Sequence, residues 1–307
     1  MKHLLDLESL TQDQIELILK YSAHFFELPN APANKNILAG KTVVNLFYEN
    51  STRTRSSFEI AANHLGANVI NFNAETSSAK KGESLLDTID NLSAMDANLF
   101  IIRHQSSGAA EFLANNLKTK ASILNAGDGC HEHPSQGLLD IFAIQQYKKH
   151  FAGLKVAIVG DILHSRVARS LIHGLNTLGT AEVCLVGPKT LMPKEIENLG
   201  VNVFYKLDDG IKNADVIVVL RLQKERMTSV YLPSETEYRY LYGIDESTIK
   251  LAKPDVIVMH PGPINREVEI SSTVADGPHS IILKQVSFGV AVRMAAMTVL
   301  LNPKVTL

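Results

Sequence analysis

Residues 42–72 read TVVNLFYENSTRTRSSFEIAANHLGANVINF, and this stretch decides the fold class. Thr42 to Phe47 is a short run rich in β-branched and apolar residues, which predicts a strand. A helical pattern follows over 52–65, closed by Gly66, the residue type that ends helices in left-handed backbone. Residues 67–72 return to a strand-like run. Strand, helix and strand in about thirty residues make a βαβ unit, whose right-handed crossover leaves its strands parallel.

The alternation continues on both sides. Upstream, Thr11 and Gln14 fit a capping box at the head of a helix carrying Ile15, Ile18, Leu19 and Phe26. Downstream, helical patterns at 84–95 and 109–116 alternate with strand-like runs at 99–103 and 122–125. A long helix over 135–149 leads to a second series, with strands at 155–160, 182–186, 201–205, 215–220 and 255–259 and a helix at 166–178. The last apolar segment, 290–301, predicts a helix that could pack on either half. The expected architecture is α/β, with two lobes, each a parallel sheet flanked by helices. No internal repeat, low-complexity tract or flexible linker interrupts it. Ligands in such folds bind at the carboxyl ends of the strands.

Composition narrows the classes further. The chain has 307 residues, 45% hydrophobic and 20% charged, the balance of an ordinary globular protein. Its formal net charge of −2 supplies no global field for nucleic acid or anionic lipid, so neither is expected as a partner. Cys130 and Cys184 are too few for a disulfide framework or a multi-cysteine metal site, and read as buried or half-buried thiols. The amino-terminal residues do not read as a signal peptide, and no stretch approaches the ~20 apolar residues of a membrane span. Cytoplasmic location is the expectation.

The segment Ser51-Thr52-Arg53-Thr54-Arg55 follows the first strand and opens a helix. A helix start offers unpaired N–H groups and partial positive charge, and hydroxyls with guanidinium forks match phosphate geometry. An ordinary Ser/Thr cap followed by solvated arginines fits the spacing equally well. No glycine-rich P-loop is present, so ATP is not the obvious phosphate donor. Other polar clusters stand at strand ends: Arg103-His104, Gly127-Asp128-Gly129, His131-Glu132-His133-Pro134-Ser135-Gln136, Arg166, Arg221 to Arg226, and His260-Pro261-Gly262-Pro263. Any one alone reads as a cap or surface feature. Together they suggest a cleft for a ligand with several negative charges. His131, Glu132 and His133 could bind zinc, but no further spaced Cys/His set completes a coordination sphere. Lys155 to Asp161 resembles the first strand of a dinucleotide unit, yet the second and third glycines are missing, which argues against NAD.

In order and separation, Ser51–Arg55 (STRTR), His133–Gln136 (HPSQ) and Arg221–Arg226 (RLQKER) resemble the aspartate and ornithine carbamoyltransferases, over nearly the whole chain. RLQKER and HPGP look like the aspartate branch; the HCLP and SMG motifs usual in the ornithine branch are absent. The resemblance implies that the C-terminal helix returns to the first lobe. The domains would be 1–134 with 287–307, binding carbamoyl phosphate, and 135–286, binding L-aspartate. The implied reaction is carbamoyl transfer from carbamoyl phosphate to the amine of aspartate, an early step of pyrimidine biosynthesis, with ornithine or another amine as the alternative acceptor. A non-catalytic scaffold would have shed site residues that are all present here.

By the same resemblance, Ser51, Thr52, Arg53 and Thr54 hold the phosphate, and Arg103 adds charge to it. Arg103, Thr54 and His133 surround the carbonyl oxygen, and Gln136 binds the carbamoyl amide. Arg166, Arg221 and Gln223 clamp aspartate, with the backbone of Gly262 and Pro263 near the reacting carbonyl. Lys81 corresponds to a lysine that touches both substrates, although by their residues alone Lys80 and Lys81 read as a solvated turn. Glu49, Arg166 and Arg226 look like the family's closed-form charge network. No cofactor and no metal is implied. The family's assemblies imply a homotrimer with shared active sites, with regulatory chains or dihydroorotase as possible partners.

Overall fold

In the computed structural model the described residues are 1–73, 83–227 and 231–305. They form two compact units, Met1–Leu139 with Ser287–Leu307, and Asp140–Val286.

The first unit opens with α1 (Gln12–Glu27), where the capping box is formed in both directions between Thr11 and Gln14. Then come β1 (Thr42–Phe47), α2 (Thr52–His64), β2 (Asn68–Asn73), α3 (Leu85–Ala94), β3 (Leu99–His104), α4 (Ala109–Asn116), β4 (Ser122–Asp128) and α5 (Pro134–Lys148). The strands pair in parallel in the order β2-β1-β3-β4. Val44, Leu46, Phe100, Ile102 and Ile123 line one core, closed by Ile89 of α3 and Leu113 of α4. Gly66 ends α2 with φ +80°, and a Cβ there would lie 1.9 Å from the Lys35 carbonyl oxygen, so only glycine fits the turn. β4 runs past the expected end at Asn125, because pairing with β3 resumes at His104 and Asp128 after a register shift. Polar residues are thereby carried into the strand's carboxyl end.

The second unit contains β5 (Lys155–Val159), α6 (Arg166–Thr177), β6 (Glu182–Val186), β7 (Asn202–Phe204), α7 (Leu207–Ile211), β8 (Val216–Val219), α8 (Glu235–Tyr242), β9 (Ile257–Met259), α9 (Ser272–Ala275) and the start of α10 (Ile282–Leu301). Its sheet is parallel, in the order β7-β6-β5-β8-β9. The sequence pattern does not announce α8, since this polar helix buries only Tyr238 and Tyr242, one turn apart.

The chain leaves the first unit inside α5, after Leu139, and re-enters it inside α10. The division falls within a continuous helix. α10 starts earlier than the expected 290 and carries the chain back to the first unit. There Phe288 meets Phe26 of α1 edge-on at 4.8 Å, and the Tyr21 hydroxyl donates to the Val305 carbonyl at 2.7 Å. Against expectation, α10 is long and apolar enough to cross a membrane, with mean hydropathy 1.3 over its best window. Yet 72% of that window is buried inside the protein. Cys184 is buried and Cys130 half-buried.

The Arg293 guanidinium of α10 lies 4.9 Å from the centre of the Phe58 ring in α2, and Phe58 is fully buried. Phe58→Ala should lower the unfolding free energy by about 3–5 kcal/mol, through lost apolar burial and a residual cavity. Urea unfolding followed by circular dichroism measures this; a loss below about 1 kcal/mol contradicts the packing described.

Candidate active site

Parallel pairing delivers the polar turns after β1, β3 and β4 to one edge of the first sheet. α1, α3, α6, α8 and α9 each begin at a Ser or Thr whose hydroxyl accepts an N–H of its own first turn. α2 also begins at a serine, Ser51, but makes no side-chain capping bond. No acidic residue stands in its first turn; Arg53 and Arg55 stand there instead, cations against the positive end of the helix dipole. Both departures disfavour the helix by itself and suit an anion at its head. Thr54 is buried, and its carbonyl accepts the Ser57 hydroxyl at 2.9 Å. Arg53 is exposed by area, but desolvation by the surrounding protein pulls it below the ordinary guanidinium value. It remains charged at any pH where the protein is folded.

Arg103, the penultimate residue of β3, pairs in register with Phe47 of β1. Its Nη2 donates to Glu49 Oε1 at 2.5 Å, and its Nη1 to the Ala126 carbonyl at 3.1 Å. These bonds set the plane of the guanidinium between the Ala126 carbonyl and Glu49, which stands shortly before the head of α2 in the chain. The neighbouring turn, after β4, is fixed by Asp128, which is 1% exposed. Its Oδ1 accepts from Asn125 Nδ2 at 2.8 Å and from the Glu132 N–H at 3.1 Å, and its Oδ2 from the Gly108 N–H at 2.6 Å. Gly129 has φ +47°, and a Cβ there would lie 2.3 Å from Ser107 Oγ. From this turn His133 and Gln136, both buried, enter at the head of α5, with the Gln136 N–H donating to the His133 carbonyl at 2.9 Å.

The second unit repeats the logic after β5, β8 and β9. Asp161 is fully buried; its Oδ1 lies 2.9 Å from His164 Nδ1, and its Oδ2 accepts the Gln223 N–H at 3.2 Å. Arg226 Nη1 donates to the His164 carbonyl at 3.1 Å. One buried carboxylate thus ties the turn after β5 to the segment 221–226. Arg221 forms an ion pair with Glu225. Arg166, 3% exposed, is the first residue of α6. Gly262 and Pro263 follow β9.

The first unit therefore gathers Glu49, Ser51, Thr52, Arg53, Thr54, Arg103, His133 and Gln136 at the strand ends of one sheet. The second gathers Arg166, Arg221, Gln223, Arg226, Gly262 and Pro263. Lys81 lies outside the described residues. Asp128, Asp161 and Glu269, whose Oε1 accepts the Asn265 N–H at 2.6 Å in the turn after β9, position these groups, a role the sequence alone does not show. Asp128 carried a signal, its flanking glycines; Glu269 sits in a segment with no periodicity.

The sequence matches the aspartate/ornithine carbamoyltransferase carbamoyl-P binding domain over residues 2–146 and the Asp/Orn binding domain of the same family over 152–300. The chain belongs to that family. Aspartate transcarbamoylase from Trypanosoma cruzi, solved with carbamoyl aspartate and phosphate, is 33% identical with a TM-score of 0.88, covering 98% of this chain and 96% of that one. Its complex with carbamoyl phosphate and aspartate matches at 32% identity and TM-score 0.87, over 98% and 97%. The catalytic subunit of M. jannaschii aspartate transcarbamoylase is 36% identical, TM-score 0.85, covering 99% of each chain.

Among the described residues no group of three or more His, Cys, Asp and Glu could hold a metal ion. His131 Nδ1 instead lies 3.2 Å from Asp128 Oδ2. Turnover should survive exhaustive chelation unchanged, and purified protein should carry no stoichiometric zinc. Activity that chelation abolishes and Zn²⁺ restores would overturn this assignment.

Proposed function

We propose that this chain is an aspartate carbamoyltransferase, joining the carbamoyl group of carbamoyl phosphate to the amine of L-aspartate with release of phosphate. The observation that carries the reading is the head of α2, where an uncapped Ser51 and two first-turn arginines follow closely on Glu49, the residue that holds the Arg103 guanidinium. The aspartate branch is favoured because the turns after β8 and β9 carry RLQKER and HPGP, without the HCLP and SMG motifs of ornithine enzymes.

The chemistry assigns each group a task. Ser51, Thr52, Arg53 and Thr54 receive the phosphate dianion, joined by Arg103. The amine nitrogen attacks the carbonyl carbon, and negative charge builds on the carbonyl oxygen. Donors from Thr54, Arg103 and His133 meet that charge; fixed donors of this kind are often the largest single catalytic contribution. Gln136 accepts the carbamoyl N–H groups. As the tetrahedral centre collapses, the carbon–oxygen bond to phosphate breaks, and a phosphate oxygen can take the amine proton. Arg166, Arg221 and Gln223 hold the two carboxylates of aspartate. The amine is nucleophilic once deprotonated and phosphate leaves readily, so no covalent enzyme intermediate is required. Alignment of the two reactants supplies ~7–11 kcal/mol of the barrier reduction.

The assembly proposed is a homotrimer in which Lys81 enters the neighbouring subunit's site. Regulatory chains or dihydroorotase are candidate further partners, and the setting is cytoplasmic pyrimidine biosynthesis. The substrates' own charges, a phosphate dianion and two carboxylates, favour an additional ammonium.

Arg53→Ala and Lys81→Ala enzymes should each fold normally and lose turnover by orders of magnitude, since each loses a charge-assisted contact. Dissociating the two and reassembling them together should restore activity well above either parent, because some sites would combine an intact Arg53 with a neighbour's intact Lys81. Near-wild-type turnover in folded Arg53→Ala would remove the phosphate assignment. Mixed trimers as inactive as their parents would exclude sharing.

A further inference from the structure

Resting on the carbamoyl-transfer reading, we propose that His260 is a positioning residue. It takes up the sole backbone N–H of the Pro261-Gly262-Pro263 turn on its Nδ1, leaving the turn to meet substrate through carbonyl oxygens alone. Prolines carry no N–H, so between His260 and Ile264 that group belongs to Gly262. It donates to His260 Nδ1 at 2.7 Å. A backbone N–H can only donate, so Nδ1 is bare and the proton sits on Nε2. Nε2 lies 3.1 Å from Glu269 Oε1, which also accepts the Asn265 N–H at 2.6 Å.

One carboxylate oxygen thus fastens the histidine on one side of the turn and the backbone on the other. Both partners are sealed from solvent, with side chains 0% and 1% exposed. Glu269 is itself anchored, its carbonyl accepting the Ile244 N–H at 3.0 Å. The His260 N–H donates to Gln285 Oε1 at 3.0 Å, and Gln285 Nε2 donates to Asp140 Oδ1 at 2.8 Å. The carbamoyl amide and the incoming amine both present N–H groups, which a turn of carbonyls accepts. A donor left in that turn would compete with its own acceptors and let the backbone rotate.

The two ring nitrogens can be separated by substitution. His260→Asn keeps an acceptor where Nδ1 stands; His260→Gln keeps a donor where Nε2 stands and loses the acceptor. Folded His260→Gln should lose kcat on the order of 100-fold, the effect of a reacting group displaced by about an ångström. Its KM for carbamoyl phosphate should change much less than kcat, because the charged phosphate of that substrate is assigned to residues of the other unit. His260→Asn should stay within a few-fold of wild type. Pro261-Gly262 is the only Pro-Gly pair in the sequence. Carbonyl-¹³C proline with ¹⁵N glycine therefore gives one correlated amide signal. That amide should be protected from exchange in wild type and in His260→Asn, and unprotected in His260→Gln. Equal losses of kcat in the two variants, wild-type kcat in His260→Gln, or an unprotected Gly262 amide in wild type would each overturn the assignment. The wild-type measurement decides even if neither variant folds. Run in parallel, an inactive Arg53→Ala beside a fully active His260→Gln would sink this inference alone. An active Arg53→Ala would sink the carbamoyl-transfer reading beneath it.

Discussion

Parallel pairing is the constraint on which the rest of the structure depends. When every strand of a sheet runs the same way, every strand-to-helix turn opens at one edge, and residues far apart in sequence become neighbours there. In the first sheet the adjacency of β1 and β3 sets Arg103 against Phe47, within reach of Glu49 and the head of α2. The adjacency of β3 and β4 brings Asp128, and through it His133 and Gln136, to the same edge. The order β5-β8-β9 does the same for Arg166, the 221–226 segment and the turn at Gly262. The ion pair of Glu49 with Arg103 exists because of this order and not because of any local pattern.

Within that frame, scaffold and site obey different local rules. Helices without a proposed ligand role at their heads, such as α1 and α3, begin with satisfied hydroxyl caps and an acidic residue in the first turn. α2 reverses both choices, an arrangement that disfavours the helix end by itself and suits an anion there. The acids that shape the site are buried and hydrogen-bonded, not directed at ligand. Asp128, Asp161 and Glu269 each gather backbone N–H groups from a turn and hold it still. A cationic site needs such pins, since like charges at a strand edge would otherwise push the turns apart.

Much of this was legible in the sequence, for physical reasons that differ by element. Parallel strands buried on both faces read as plain apolar runs, so the strands from Thr42 and Lys155 stand out, and Gly66 marks its helix end because only glycine clears the Lys35 carbonyl. STRTR and RLQKER are contiguous, so their chemistry is visible without a fold. α8 was not legible, because two tyrosines one turn apart are too weak a stripe against a polar background. The extension of β4 to Asp128 was hidden as well, since it depends on the partner strand. Nor could His260 be ranked above an ordinary turn histidine, because Glu269 reaches it only through the fold.

The position of α10 bears on how the protein is made. Its carboxyl-terminal part supplies Phe288, Val292, Met294 and Ala295 to the unit that begins at Met1. Domains emerging from the ribosome usually fold amino-terminal first. Here the first unit lacks part of its core until residues 287–301 have been synthesised, whereas the intervening unit, Asp140–Val286, is already complete by then. Released chains truncated before residue 287 would hold every residue of the second unit and a first unit with exposed apolar surface, the kind of state on which chaperones act.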